Sequence, residues 1–133
     1  MWEERFAKEG YLFGKEPVPF LIRHAGLFEK GQSVLSIAEG EGRNAVHLAK
    51  QGLDVTGVEF APSAVAKAEK LAAENDVSPT FIQSDLFSWE WPQGAFDITM
   101  GLFFQFTGPE QRDILWRNMR RATRAGGLVM IHG

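Results

Sequence analysis

Residues 33–60 read SVLSIAEGEGRNAVHLAKQGLDVTGVEF. The stretch opens with a short apolar run, SVLSIA, bounded by turn-forming residues, which predicts a buried strand. Two acids and two glycines follow. Then RNAVHLAKQG places Ala45, Leu48 and Ala49 on one face and stops at Gly52, which predicts a helix closed by a C-terminal glycine. LDVTGVEF predicts a second strand. Gly40 to Ala45 spell G-x-G-x-x-A between that first strand and the helix. Glycines in such a turn let backbone approach a ligand closely, and the first turn of the helix offers unpaired N–H groups. Dinucleotides, other nucleotides and phosphates all suit this arrangement, as does a tight turn that binds nothing.

The pattern continues outward. APSAVAKAEKLAAEND (61–76) is alanine-rich, with Val65, Ala68, Leu71 and Ala72 on one face and Pro62 near its start: a helix. PTFIQSD (79–85) and AFDITMGLFF (95–104) predict two further strands. PEQRDILWRNMRRATRAGG (109–127) spaces Ile114, Leu115, Met119 and Ala122 helically, with basic residues near its end where they suit the dipole. LVMIHG (128–133) predicts a fifth strand. Upstream, Trp2 and Phe6 fit one short helix. GYLFGKEPVPFLIRHAGLF (10–28) predicts a loop followed by a helix starting near Pro17 to Pro19.

Alternating strands and helices with short connections imply parallel strands and right-handed crossovers. Apolar strands such as LVMI fit a sheet covered on both faces. The expected architecture is a doubly wound α/β domain over residues 32–133, preceded by a helical, aromatic cap over residues 1–31. Ligands of such sheets bind at the carboxyl ends of the strands.

Composition narrows the function classes. The 133 residues form one domain with 44% apolar content, a net charge of −3 and no cysteine. Disulfides, thiolate metal sites and a cysteine nucleophile are excluded. Lys and Arg are scattered, which argues against a nucleic-acid or membrane partner. No apolar run approaches the roughly 18 residues of a membrane span. The N-terminus lacks the apolar core of a signal peptide, so a cytoplasmic protein is expected. His24, His47 and His132 lack metal-ligand spacing, and no metal is expected.

Two more acids sit at strand ends. Glu59 can accept hydrogen bonds from vicinal ribose hydroxyls; a solvated strand-end acid is the plain alternative. Asp85 can accept a bond from an adenine amino group, with Leu86 and Phe60 flanking the ring; a turn former or helix cap is the alternative. A glycine loop with acids after strands two and three describes an adenosine site.

At this point the chain resembles a known family. VLSIAEGEGRNAVHLAKQGLDVTGVEFAPSAVAKA (34–68) is similar to the class I S-adenosylmethionine-dependent methyltransferases. MWEERFAKEGYLFGKEPVPFL (1–21) is similar to the small bacterial branch related to the tellurite-resistance methyltransferase TehB. The resemblance implies a Rossmann-like sheet of about five strands in the order 3-2-1-4-5, without the last two strands of the family. It implies S-adenosylmethionine as cofactor and methyl transfer to a small molecule. Gly40 and Gly42, with backbone near Ala38 and with Glu39, would hold the methionyl part. Glu59 and Phe60 would meet the ribose and ring, and Asp85 and Leu86 the adenine. Gly101 and Leu102 would lie beside the sulfonium. Arg43 and Asn44 match the family's helix start, and Tyr11, Phe13 and Gly14 its aromatic closing segment.

The chain departs from the family at Ser36, where an acid is usual, and at Ala38, where glycine is usual. Glu39 is the residue that could compensate. Phe103, Gln105 and His132 are candidates for substrate contact; no catalytic residue is assigned. Two rivals remain: an NAD(P)-dependent oxidoreductase, which shares G-x-G-x-x-A, and a non-catalytic or truncated fold that self-associates. Ser36, Ala38 and the expected short C-terminus point to the second, and the apolar strand LVMI, expected at a sheet edge, is where a homodimer could form.

Overall fold

The computed structural model describes residues 2–102 and 108–132. Two short helices, α1 (Trp2–Phe6) and α2 (Pro19–Arg23), and a 3-10 turn (Ala25–Leu27) precede the sheet. Then β1 (Ser33–Ile37), α3 (Arg43–Lys50), β2 (Asp54–Glu59), α4 (Pro62–Glu74) and β3 (Thr80–Gln83) alternate. A long connection leads to β4 (Phe96–Gly101), α5 (Pro109–Ala122) and β5 (Thr123–Ile131). The five strands are ordered β3-β2-β1-β4-β5, and every neighbouring pair is parallel. The chain therefore winds outward from β1 in one direction and, after crossing over, from β4 in the other. The expected doubly wound sheet is what forms.

The pleat of β1 explains why both faces are covered. Val34 points to the side of α2 and α3, where it packs with Leu21, Ala45, Leu48, Val55, Ile98 and Met100. Leu35 and Ile37 point to the opposite side, where Leu115, Met119 and Ala122 of α5 close over them with Val58 and Phe96. Successive strand residues alternate faces, so one apolar run feeds two cores. Trp89 and Trp91 pack against the second core, and the Trp91 indole N–H donates to the Leu86 carbonyl at 2.9 Å. Both act as anchors of the β3–β4 connection.

The last connection differs from the sequence expectation. The helical pattern suggested a helix continuing toward Gly127, but α5 ends at Ala122 and β5 begins at once. Phe96 pairs with Thr123 and Ile98 with Leu128, so one residue of β4, Asp97, stands opposite four of β5. The extra residues form a bulge. Thr123 turns the chain out of the helix: its hydroxyl reaches the Met119 carbonyl at 2.7 Å and the Thr99 hydroxyl at 2.8 Å. Arg124 pairs with Asp97 across the bulge. Gly127 lets the strands rejoin, because a Cβ there would stand 2.6 Å from the Asp97 carbonyl oxygen. Gly127→Ala is expected to cost about 1–3 kcal/mol by forcing backbone apart, read as a lower urea midpoint at unchanged slope. An unchanged midpoint would mean that the bulge accommodates the methyl.

The N-terminal segment is fastened down by polar contacts as well as by Val18 and Leu21, which join the first core. The Glu3 carboxylate accepts the Ser63 N–H at 2.7 Å and the Ser63 hydroxyl at 2.8 Å. Helix α4 has no cap from its own N-cap residue, Ala61, so Glu3 fills that place from another element. Lys67 of α4 donates to the carbonyls of Lys8 and Gly10. Phe6 packs on Ala61 and Ala64.

Candidate functional site

The carboxyl ends of β1, β2, β3 and β4 open into one cavity of about 570 Å³. Its volume lies within the range of small-molecule sites. Ser36, Ile37, Ala38, Glu39, Gly40 and Glu41 line it from the β1 loop, and Arg43 and Asn44 from the start of α3. Glu59 and Phe60 come from β2, Asp85, Leu86 and Phe87 from the segment after β3, and Leu102 from the end of β4. Arg5, Phe6, Phe13 and Gly14 of the N-terminal segment complete the wall.

The β1 loop owes its shape to three left-handed residues, Ala38 (φ +50°), Gly40 (φ +68°) and Gly42 (φ +92°). Alanine in that region carries strain that glycine lacks, which is the structural meaning of the departure at Ala38. The turn swings the Glu39 side chain inward. Its Cγ lies over Gly57 of β2, where a Cβ would come within 3.0 Å, so Gly57 makes the room. One Glu39 oxygen accepts the Ala45 N–H at 2.6 Å, and the other accepts the Ser36 hydroxyl. Glu39 thus caps α3 from before the loop, since the N-cap residue Gly42 supplies no side-chain bond.

Burial pushes the Glu39 carboxyl up to about 7, with the Glu59 charge adding to the rise, while the bonds from Ser36 and Ala45 and the charge of Arg43 oppose it. The folded value lies above the ordinary 4.5, so the unfolded chain loses this proton first as pH rises. Stability is therefore expected to fall between pH 4.5 and about 7 and to be insensitive to this group above that. At about 1.4 kcal/mol per unit, the total is about 3 kcal/mol. Glu39→Gln should remove the slope in that window, which urea melts at pH 5, 6 and 7 would show; an identical slope in the variant rules this origin out.

Glu59 holds the loop from the other side. Its two oxygens accept the N–H groups of Gly40 at 2.7 Å and Ala61 at 2.9 Å. A carboxylate has about four acceptor positions, so two remain for ligand hydroxyls. Glu41, at the variable position between the glycines, is buried. It accepts the Leu12 N–H at 2.7 Å and faces the Lys67 ammonium at 3.0 Å. Arg43 donates to the Phe13 carbonyl at 3.0 Å and lies over the Phe13 ring, while Asn44 accepts the Val18 N–H at 2.9 Å. The residues at the helix start thereby tie the N-terminal segment to the loop. Asp85 is exposed; its side chain accepts the Phe87 N–H at 2.8 Å and its carbonyl accepts the N–H groups of Ser88 and Trp89. It shapes the turn that brings Leu86 and Phe87 to the cavity.

Four expected residues lie elsewhere. Gly42 faces α4, where a Cβ would sit 2.7 Å from the Ala68 Cβ. Tyr11 packs beside Val46, Leu71 and Ala72 and donates its hydroxyl to the Lys67 carbonyl at 3.1 Å. Gly101 is buried within β4, paired to Ile37 and Ile131. His132 stacks on Phe20 at 4.4 Å between ring centres, away from the cavity lining. Phe103 and Gln105 lie outside the described residues. Arg5, Phe6, Glu41 and Phe87 line the cavity without having been singled out. Phe6 carried only a helical spacing signal, and Glu41 none, because its burial depends on Lys67 and Leu12. Among the described residues no cluster of three metal-ligating side chains occurs, and no helix is long and apolar enough to cross a membrane.

A doubly wound parallel sheet with a glycine loop after β1 and an acid closing β2 defines a Rossmann-like nucleotide-binding class. Within that class the chain belongs to the methyltransferase domain family, whose model matches residues 34–127. It is 36% identical over 106 residues to thiopurine S-methyltransferase of Pseudomonas paraeruginosa, covering 77% of this chain and 47% of that protein. It is 38% identical over 66 residues to a 23S rRNA (uracil(747)-C(5))-methyltransferase of Pyrococcus horikoshii, covering 50% of this chain and 16% of that protein. A solved TehB-like SAM-dependent methyltransferase from Corynebacterium glutamicum superimposes with a TM-score of 0.69 at 24% identity, over 80% of this chain and 58% of that one. The chain thus spans less than two thirds of each of these proteins.

Proposed function

We propose that this chain binds S-adenosylmethionine in the cavity and serves methyl transfer to a small molecule. The observation that carries the reading is that acids already occupy the glycine loop. Glu59 accepts the Gly40 N–H, Glu39 and Asp85 line the cavity beside it, and Glu41 is paired with Lys67. The helix N-terminus that would receive a pyrophosphate already has its Ala45 N–H taken by Glu39. An anionic dinucleotide is therefore disfavoured and a cationic nucleoside favoured, which argues against the NAD(P)-dependent rival.

The lining residues fit the cofactor. Glu59 would hold the ribose hydroxyls, Leu86 and Phe60 the adenine faces with Asp85 at its edge, and Ala38 to Gly40 the methionyl part, with Leu102 near the sulfonium. When bound, the cofactor supplies an electrophilic methyl group. The protein's own part is to orient and to exclude water, with Phe6 and Phe13 as a roof. Residues 1–31 act as the closing segment and residues 32–133 as the binding domain. The thiopurine relative supports a small acceptor, and the net negative charge supports it over RNA. Membership of the TehB-like branch and a cytoplasmic site belong to the same proposal.

Calorimetry with S-adenosylmethionine against NAD, followed by a methyl-transfer assay on small thiols and amines, tests the reading. Binding of NAD alone would overturn it. A second reading, a self-associating fold without turnover, draws on β5, which pairs only with β4 among the described residues and leaves Ile131 exposed. Sedimentation at micromolar concentration distinguishes a β5-paired dimer from a monomer.

A further inference from the structure

Glu39 is a buried acid that also lines the cavity. Its two hydrogen-bond donors, the Ser36 hydroxyl and the Ala45 N–H, are neutral and occupy only part of its acceptor capacity. Both oxygens are held by those donors and the Cγ sits over Gly57, so the side chain is buried although it borders the cavity. The charged groups around it are few. Arg43 at the start of α3 favours its ionised form and Glu59 at the end of β2 opposes it; from β1 it meets the neutral Ser36 hydroxyl, and the β3 side chain that shares the space over Gly57 is the apolar Phe81. A carboxylate so enclosed is costly to ionise unless a positive charge arrives beside it.

We propose that Glu39 is the charge-selecting residue of the cavity: it ionises when a cationic adenosyl ligand enters and stays protonated when the cavity holds a neutral one. The inference rests on the S-adenosylmethionine reading. It gives Ser36 a role as well, since the serine hydroxyl holds Glu39 in place, whereas a carboxylate at position 36 would stand against it. The proton leaves the Glu39 carboxyl for solvent as the ligand binds; no bond to the ligand forms. After methyl transfer the sulfonium has become a neutral thioether, so the charge that favoured ionisation is reduced and product release is eased.

The experiment is calorimetry at pH 6 and pH 8 in pairs of buffers with different ionisation enthalpies, which counts protons exchanged per ligand. The ligands are S-adenosylmethionine and adenosine, and the proteins are wild type, Glu39→Gln and Glu59→Gln. For wild type with S-adenosylmethionine, release approaching one proton is expected at pH 6, and a small fraction at pH 8, since the free group sits at about 7. Adenosine should release none. Glu39→Gln keeps an acceptor for the Ala45 N–H; it should abolish the release and weaken S-adenosylmethionine about tenfold, with adenosine unchanged. Glu59→Gln should weaken both ligands and keep a proton release at pH 6 that is smaller than in wild type, because the Glu59 charge that helps hold Glu39 protonated is gone. Equal affinities and proton counts in wild type and Glu39→Gln would reduce Glu39 to a helix cap and overturn the proposal. If Glu39→Gln does not fold, the wild-type proton count decides alone, and no release at pH 6 overturns it. Absence of binding by either ligand removes the functional reading itself, and this inference with it.

Discussion

Gly42→Ala is expected to lower stability by about 2–6 kcal/mol, the sum of two penalties of about 1–3 kcal/mol each. The first is conformational: Gly42 has φ +92°, where an L side chain is strained. The second is steric. The new Cβ would lie 2.7 Å from the Ala68 Cβ and 2.8 Å from its Cα. Ala68 is fully buried in α4 and cannot yield without moving the helix. For a domain of this size the loss corresponds to a fall in Tm of roughly 7–20 °C. Ala68→Gly in the same chain should recover only part, because the clash with the helix backbone and the positive φ both remain. A Gly42→Ala protein melting within about 2 °C of wild type would show that α3 and α4 are not packed at this point.

Glu59→Ala is expected to weaken S-adenosylmethionine by about 1.5–3 kcal/mol, roughly 10- to 150-fold, the range for hydrogen bonds to a charged group. The fold should suffer too. The variant orphans the N–H groups of Gly40 and Ala61, and each unsatisfied donor costs about 1–3 kcal/mol where water cannot reach it. The two effects separate with a ligand pair. Wild type should prefer S-adenosylmethionine to its 2′-deoxy analogue, and Glu59→Ala should not. A preference of equal size in both proteins would mean that another group reads the ribose, whatever the variant does to stability.

The roles of these two residues were not equally visible in the chain. Glu59 follows an apolar strand run, and a residue at that place must emerge at the carboxyl edge of the sheet. Gly42 belongs to the same motif as Gly40, and the spacing alone puts both near a ligand. Only Gly40 lines the cavity. Its neighbour Gly42 is required by Ala68, 26 positions away in the chain. Ser36 shows the same limit in reverse. Read singly it is a missing carboxylate, and together with Glu39 it is a hydroxyl holding a displaced one.

The alternation of apolar runs and helical spacing by itself determined the doubly wound sheet, the helix starts at Pro62 and Pro109, and the sheet edge at which the cavity opens. Those features follow from local periodicity and from the fixed hand of the crossover, which any chain of this pattern obeys. Tertiary structure alone decided which loop acids are buried, that Glu3 and Lys67 fasten the N-terminal segment, that Tyr11 turns away from the cavity, and that β5 opens with a bulge. Each of these depends on a partner distant in sequence: Ser63 for Glu3, Glu41 for Lys67, Asp97 for Arg124. A side chain's burial and charge state are set by what packs against it, and that neighbour is chosen by the closed sheet rather than by the residues on either side.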